Sequence, residues 1–330
     1  MFFLALAILC SVAIGIIFKY TGQRGVDRVA LLTINYFAAV GVALALLVTG
    51  GTALDAGITL SPGLLGLSVV VGVLLIAGFF LLSLATELAG MSLALGVWRV
   101  SVVLPFLASW LIWAEAPSVW QGFGMLLAGG AFFMIAKQPE PAVPTPAVEP
   151  AGSASGADAS LPDDSLPDDS EPDEEGLTDQ LVDEAPVVAS FGVLLLLFLS
   201  SGAIDVSLKA FEETFNAGQG EVSLFLLLSF GMAGLVGLVP VVTKGVREQV
   251  WPQRNAWGWG IVLGVVNYGS LEFLLRALEY LPGTVVFPIN HLAIVLIGAL
   301  IGVLVFSERL SRINLWGITL ATLALALLMM

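Results

Sequence analysis

The chain has 330 residues, enough on length alone for two or three soluble domains. Its composition excludes that reading: 58% of the residues are hydrophobic, 12% are charged and the mean hydropathy is +0.98, more apolar surface than a water-soluble fold can hide. The formal net charge of −14 is local, because fourteen of the 26 Asp and Glu lie between Gln138 and Ala185 with no Lys or Arg among them, leaving twelve acids against twelve bases elsewhere. So balanced a remainder gives no footprint for a nucleic acid, and the partners expected are the lipid bilayer and a small-molecule substrate.

Apolar runs of about 20 residues match the roughly 30 Å hydrocarbon core of a bilayer. In lipid such glycine-rich runs satisfy their backbone as helices rather than as barrel strands. In chain order the predicted spans are Phe2–Tyr20, Val29–Val48, Leu64–Glu87, Met91–Trp113 and Val119–Ala136, then Val187–Ala210, Val222–Val242, Trp257–Tyr280, Gly283–Phe306 and Ile313–Met330. The first lacks a basic leading segment and reads as a span rather than a cleaved signal. Very tight turns join spans three and four (Glu87 to Gly90) and spans eight and nine (Glu279 to Gly283). Cys10 is the only cysteine, so neither a disulfide framework nor a Cys-based metal site is expected, and no cofactor is called for.

The organisation predicted is a membrane unit over residues 1–137, an acidic linker over 138–186 and a second membrane unit over 187–330. Between Pro139 and Pro186 the chain is rich in Pro, Ala, Ser and Asp, with Ser160-Leu-Pro-Asp-Asp repeated from Ser165. Low hydrophobicity and one-sign charge do not offset the entropy of ordering, so disorder is expected there. A coil of 48 residues spans about 35–40 Å, enough to join two adjacent helical units.

The two membrane units match each other. Ala13-Ile-Gly-Ile-Ile-Phe-Lys19 corresponds to Ala203-Ile-Asp-Val-Ser-Leu-Lys209, and Leu111-Ile-Trp-Ala-Glu115 to Leu304-Val-Phe-Ser-Glu308. With five spans in each copy, the second copy enters the membrane upside down. Equivalent loops then carry opposite charge bias: Arg24, Asp27 and Arg28 against Glu212, Glu213 and Glu221, and Asp55 alone against Lys244, Arg247 and Arg254. The fold class expected is an all-α membrane protein of ten transmembrane helices in two inverted five-helix repeats. Nine of the twelve Lys and Arg lie at odd-numbered loops, which places those loops and the linker in the cytoplasm and both termini outside.

The second unit reads Ala277-Leu-Glu-Tyr-Leu-Pro-Gly-Thr-Val-Val-Phe-Pro288, then an apolar run to Ser307-Glu308-Arg309-Leu310-Ser311, then Leu315-Trp-Gly317. This pattern resembles the repeat of the drug/metabolite transporter superfamily in its EamA-like branch. The first unit resembles it more loosely, with Glu115-Ala-Pro where the family turn has Glu-Arg-Leu, followed by Gly122 and Gly124. The resemblance implies ten helices in two inverted bundles around a central substrate path. It also implies movement of small metabolites or drugs, often by proton-coupled export or exchange. The acidic insert departs from the family, and so do termini placed outside the cell.

Ionisable groups inside spans are costly and usually face a partner or a watery cavity. Arg99, eight residues into the fourth span, is placed to attract an anionic group or else to be neutralised by Glu87. Glu272 and Arg276 share one helix face, with Asn267, Tyr268 and Glu279 nearby, and form either a structural ion pair or a proton-exchanging one. Asp205 is a proton-coupling candidate, with an i,i+4 pair to Lys209 as the alternative. His291, the only histidine, follows Asn290 about two turns into the ninth span, and its repeat counterpart is Trp98, beside Arg99. That shared depth suits a central site at the repeat interface, although a lone His makes a poor metal site. Asn35 and Tyr36 are further path-lining candidates. Gly231, Gly234, Gly237, Gly298 and Gly302 are expected to allow close helix packing, Pro105 to kink the fourth span, and Glu115 and Glu308 to cap helices.

The leading expectation is a secondary transporter, not an enzyme, in a multi-pass cell membrane of the bacterial inner-membrane type. No Walker-type Gly-Lys-Ser/Thr sequence is present to provide ATP drive. Two alternatives stand beside it: a scaffold recruiting a basic partner through the acidic linker, and a lipid-acting membrane enzyme, for which no His-Glu-x-x-His pattern is found. Whether two copies pair as a homodimer stays open.

Overall fold

The structure is a computed structural model describing residues 1–49, 61–89, 91–136, 175–215, 219–249, 251–306 and 311–330. Among these residues all regular structure is helical. The helices are α1 (Phe2–Gln23), α2 (Arg28–Thr49), α3 (Pro62–Ala89), α4 (Met91–Val100), α5 (Val103–Leu111) and α6 (Val119–Ala136). After the linker come α7 (Glu175–Phe215), α8 (Gln219–Arg247), α9 (Arg254–Tyr280), α10 (Gly283–Phe306) and α11 (Arg312–Leu328).

The predicted spans fall largely on helix, the fourth being divided between α4 and α5. Among the described residues eight stretches are long and apolar enough to cross a membrane, with α4 and α5 together forming one of them, Leu93–Leu111. Two further apolar helices, Val119–Met134 and Arg312–Leu328, are shorter. The chain is therefore an all-α, multi-pass membrane protein. Its outward surface agrees: Leu126, Phe133, Leu304 and Trp316 are each about 70% exposed, an arrangement that lipid covers and water would not.

Local chemistry starts several helices. The Asp27 carboxylate accepts from the amides of Val29 and Ala30 at 2.8 and 3.0 Å and caps α2. Ser118 and Gln121 form a reciprocal capping box at α6. Ser311 caps α11 through the amide of Asn314.

The fourth span breaks where proline chemistry requires it. Pro105 has no N–H for the Ser101 carbonyl, and the chain turns at Ser101 and Val102 between α4 and α5. The Val102 amide bonds the Arg99 carbonyl at 3.3 Å instead of closing onto Trp98. The freed Trp98 carbonyl is taken by the hydroxyls of Ser101 at 2.6 Å and Ser201 at 3.4 Å, which ties the bend to α7.

The linker expectation changes at one end. Residues 137–174 lie outside the described residues, but α7 begins at Glu175, so Glu175 to Pro186 is helical where composition argued for disorder. A membrane span is already a nucleus, and each residue added to it gains a backbone hydrogen bond.

Helices α1–α6 and α7–α11 pack against each other. α1 lies against α9 and α10, while α7 lies against α3, α4 and α5; α2 packs on α8, and α6 on α11. Two close approaches depend on glycine. A Cβ on Gly72 in α3 would collide with the Ser229 carbonyl and Met232 of α8. A Cβ on Gly264 in α9 would collide with the Asn35 carbonyl and Ala38 of α2. Gly237 serves the expected role against Thr33, whose hydroxyl bonds the Gly237 carbonyl at 2.9 Å. Gly298 does not, because it faces open space. Between the units the core is aromatic, with Tyr36, Phe211, Phe225, Phe230 and Phe287 fully buried and Phe211 stacked on Phe225 at 4.0 Å between ring centres.

Candidate functional site

Asp205 lies on α7, ten residues before the helix ends at Phe215, and His291 lies eight residues into α10. At 1.5 Å per residue both sit roughly 12–15 Å from the same end of the bundle, near mid-depth. The two side chains meet: His291 Nε2 is 3.1 Å from Asp205 Oδ2, and both residues are buried. With its proton on Nε2 the imidazole donates to the carboxylate. The other ring nitrogen, Nδ1, has no hydrogen-bond partner, nor do the side-chain oxygen of neighbouring Asn290 and the hydroxyl of Ser200 on α7. Arg99 of the first unit is close enough for its guanidinium to interact electrostatically with Asp205. Trp98 flanks the same helix: its ring tip, the Ser200 hydroxyl and the Ile204 side chain all lie 3.6 Å from the point where Gly78 would carry a Cβ.

Two of the sequence-predicted residues, Asp205 and His291, are thus brought into contact from α7 and α10, with Arg99 of α4 within electrostatic range of Asp205. A buried carboxylate and imidazole in contact form a polar pair that the surrounding apolar packing does not call for.

The alternative pairing of Asp205 with Lys209 is not what forms. Lys209 is 1% exposed and its ammonium meets three other carboxylates: Glu213 at 2.6 Å, Glu115 at 2.8 Å and Glu212 at 3.1 Å. The Arg99 guanidinium lies within electrostatic range of the Asp205 carboxylate. Glu115 does act as a cap, its Oε2 accepting from the amide of Thr284 at 3.3 Å at the start of α10, but its other oxygen holds Lys209. Glu308 lies outside the described residues.

The remaining candidates form two further networks. Arg276 binds Glu272 Oε1 through two nitrogens at 2.8 and 2.7 Å, the Tyr268 hydroxyl donates to Glu272 Oε2 at 2.8 Å, and Ser223 lies 3.2 Å from that hydroxyl. Glu272 is therefore fully engaged, as a structural pair would be, while Glu279 is exposed. Asn267 donates to the Asn35 side-chain oxygen at 3.2 Å across α9 and α2, leaving the Asn35 amide nitrogen without a partner. Tyr36 is wholly buried with its hydroxyl on the Leu75 carbonyl at 3.3 Å, so it packs the core rather than lining a path.

Two cavities among the described residues lie apart from these side chains: an apolar crevice of about 130 Å³ lined by Leu93, Val97, Phe132 and Phe198, and one of about 70 Å³ beside Asp27, Lys244 and Trp251. Neither is lined by Asp205 or His291.

No protein-family model matches the chain. An uncharacterized protein of Haemophilus influenzae is 28% identical over 322 residues, covering 96% of this chain and 93% of that protein. A protein of known crystal structure superposes with a TM-score of 0.64 at 15% identity, covering 99% of this chain and 95% of that one. The latter likeness is one of fold alone.

Proposed function

We propose that the chain is a secondary transporter of small organic solutes whose energy coupling runs through Asp205 and His291. The observation that carries this reading is the carboxylate–imidazole contact itself, buried at mid-depth in a membrane bundle beside a charge from the other unit. Ionisable groups inside spans are costly and by default mark a substrate or ion pathway. Reciprocal packing supports ten spans in two inverted repeats: α1 with α9 mirrors α7 with α3, and Gly72 at the α3–α8 crossing mirrors Gly264 at the α9–α2 crossing. In a repeat of this kind one unit rocks against the other around a midplane site, and a closed seam is one stage of that cycle. The reading keeps the resemblance to the EamA-like transporters and a bacterial inner-membrane location as parts of the proposal.

The test is a counterflow screen in proteoliposomes with pooled metabolites, repeated with Arg99→Ala and Asp205→Asn. The expected result is a solute whose accumulation follows an imposed pH gradient in the unaltered protein. Asp205→Asn should abolish the gradient dependence while solute exchange continues. If no solute crosses under any gradient, or if Asp205→Asn still concentrates solute against one, the reading fails.

A further inference from the structure

Resting on the transporter reading, we propose that Glu115 is an ionic latch that closes one mouth of the seam by fastening the first unit onto both helices that carry the Asp205–His291 contact. Glu115 lies in the connection between α5 and α6, and its two oxygens go to different helices of the second unit. Oε1 holds the Lys209 ammonium of α7 at 2.8 Å, and Oε2 accepts the Thr284 amide at the N-terminus of α10 at 3.3 Å. Asp205 precedes Lys209 by four residues and His291 follows Thr284 by seven, so each contact lies on the helix face of its dyad partner, one or two turns nearer the end of the bundle.

The chemistry suits a reversible latch. Lys209 is buried, but its carboxylate partners are 16%, 20% and 36% exposed, so the cluster sits at the boundary between seam and water. Glu212 and Glu213 belong to α7 itself and stay with Lys209 in any rigid-body movement. Glu115 alone crosses to the other unit. When it leaves, the ammonium keeps two carboxylates and is not stranded as an unpaired buried charge, which would make opening prohibitive. Beneath the contact Ser109 is fully buried, its hydroxyl unpartnered and set against Gly283, where a Cβ would also lie 3.3 Å from Glu115 Oε2.

The test reads access without any solute. In full-length protein carrying Cys10→Ser and Ser109→Cys in proteoliposomes, the rate of modification by a membrane-impermeant maleimide is measured with Glu115 intact and with Glu115→Gln, Glu115→Asp and Glu213→Gln. Glu115→Gln should raise the rate at least tenfold, Glu115→Asp should restore most of the protection, and Glu213→Gln should change it less than threefold. An unchanged rate in Glu115→Gln overturns the latch. So does an equal rise in Glu213→Gln, which would mean general loosening of the cluster. If Glu115→Gln does not fold, Lys209→Met replaces it, with the same rise expected and an unchanged rate again decisive. A failed solute screen with intact labelling behaviour would sink the transport reading alone.

Discussion

Removing the Lys209 ammonium should cost more than removing any one of its partners, and a second substitution should repair part of the loss. In Lys209→Met the shape of the side chain is nearly kept, but Glu115, Glu212 and Glu213, all within 3.1 Å of the ammonium, are left facing one another. Breaking a buried ion pair from one side costs about 3–5 kcal/mol. Glu213 is 36% exposed and keeps part of its hydration, which places the expected loss near the lower end, about 3 kcal/mol. Adding Glu115→Gln then removes a repelling charge, so the double variant should be more stable than Lys209→Met alone by about 1 kcal/mol. The deficit of Lys209→Met should also shrink as the pH falls, because a protonated carboxyl no longer repels its neighbours. Thermal unfolding of the purified protein in detergent, followed by tryptophan fluorescence at pH 7 and pH 5, orders the three proteins. The reasoning is refuted if Glu115→Gln destabilises the Lys209→Met background further, or if Lys209→Met unfolds at the temperature of the unaltered protein.

Two glycine substitutions of the same kind should behave oppositely. Gly264→Ala drives a methyl into the α2 backbone at Asn35 and should cost about 1–3 kcal/mol, whereas Gly298→Ala meets nothing within 4 Å and should be neutral or stabilising by up to about 1 kcal/mol. Melting temperatures of the two variants decide it. A single cysteine at Ser160 in a Cys10→Ser background should resist impermeant thiol reagents on intact cells and react after lysis. Modification of intact cells would reverse the orientation read from the loop charges.

The spans were legible because lipid imposes a length and an apolar composition that survive in a linear pattern. The bend near Pro105 was legible for a similarly local reason, although the break falls earlier, at Ser101 and Val102, where the Val102 amide turns to Arg99 and leaves the Trp98 carbonyl to hydroxyl donors. The individual site residues were legible as charges out of place, but their partners were not. Asp205 and Lys209 are four apart and of opposite sign, a spacing that favours pairing on an isolated helix. Tertiary packing instead supplied His291 from α10 to one and Glu115 from the α5–α6 connection to the other. The correspondence of Lys209 with Lys19 and of Glu115 with Glu308 was the one signal that these two residues belong to a shared device. Gly298 misled because a glycine inside a span carries no mark distinguishing close packing from a lipid-facing position.

The dyad and the latch share two helices, and that geometry makes their independence testable. A shift of α7 relative to α10 that lengthens the 3.1 Å Asp205–His291 contact also moves Lys209 and Thr284 relative to the single carboxylate that binds both. If each helix moves as a rigid rod, the state of the dyad and the state of the latch bias one equilibrium, and the coupling must be reciprocal. Asp205→Asn should therefore change Ser109→Cys labelling, and it should change it less once Glu115→Gln has already released the mouth. In a double-mutant cycle on the labelling rate, a departure from additivity of at least threefold is expected. That corresponds to roughly 0.6 kcal/mol, above the scatter usual for independent sites. Strict additivity would mean that the two clusters are neighbours on the same helices without being parts of one mechanism, whatever each does alone.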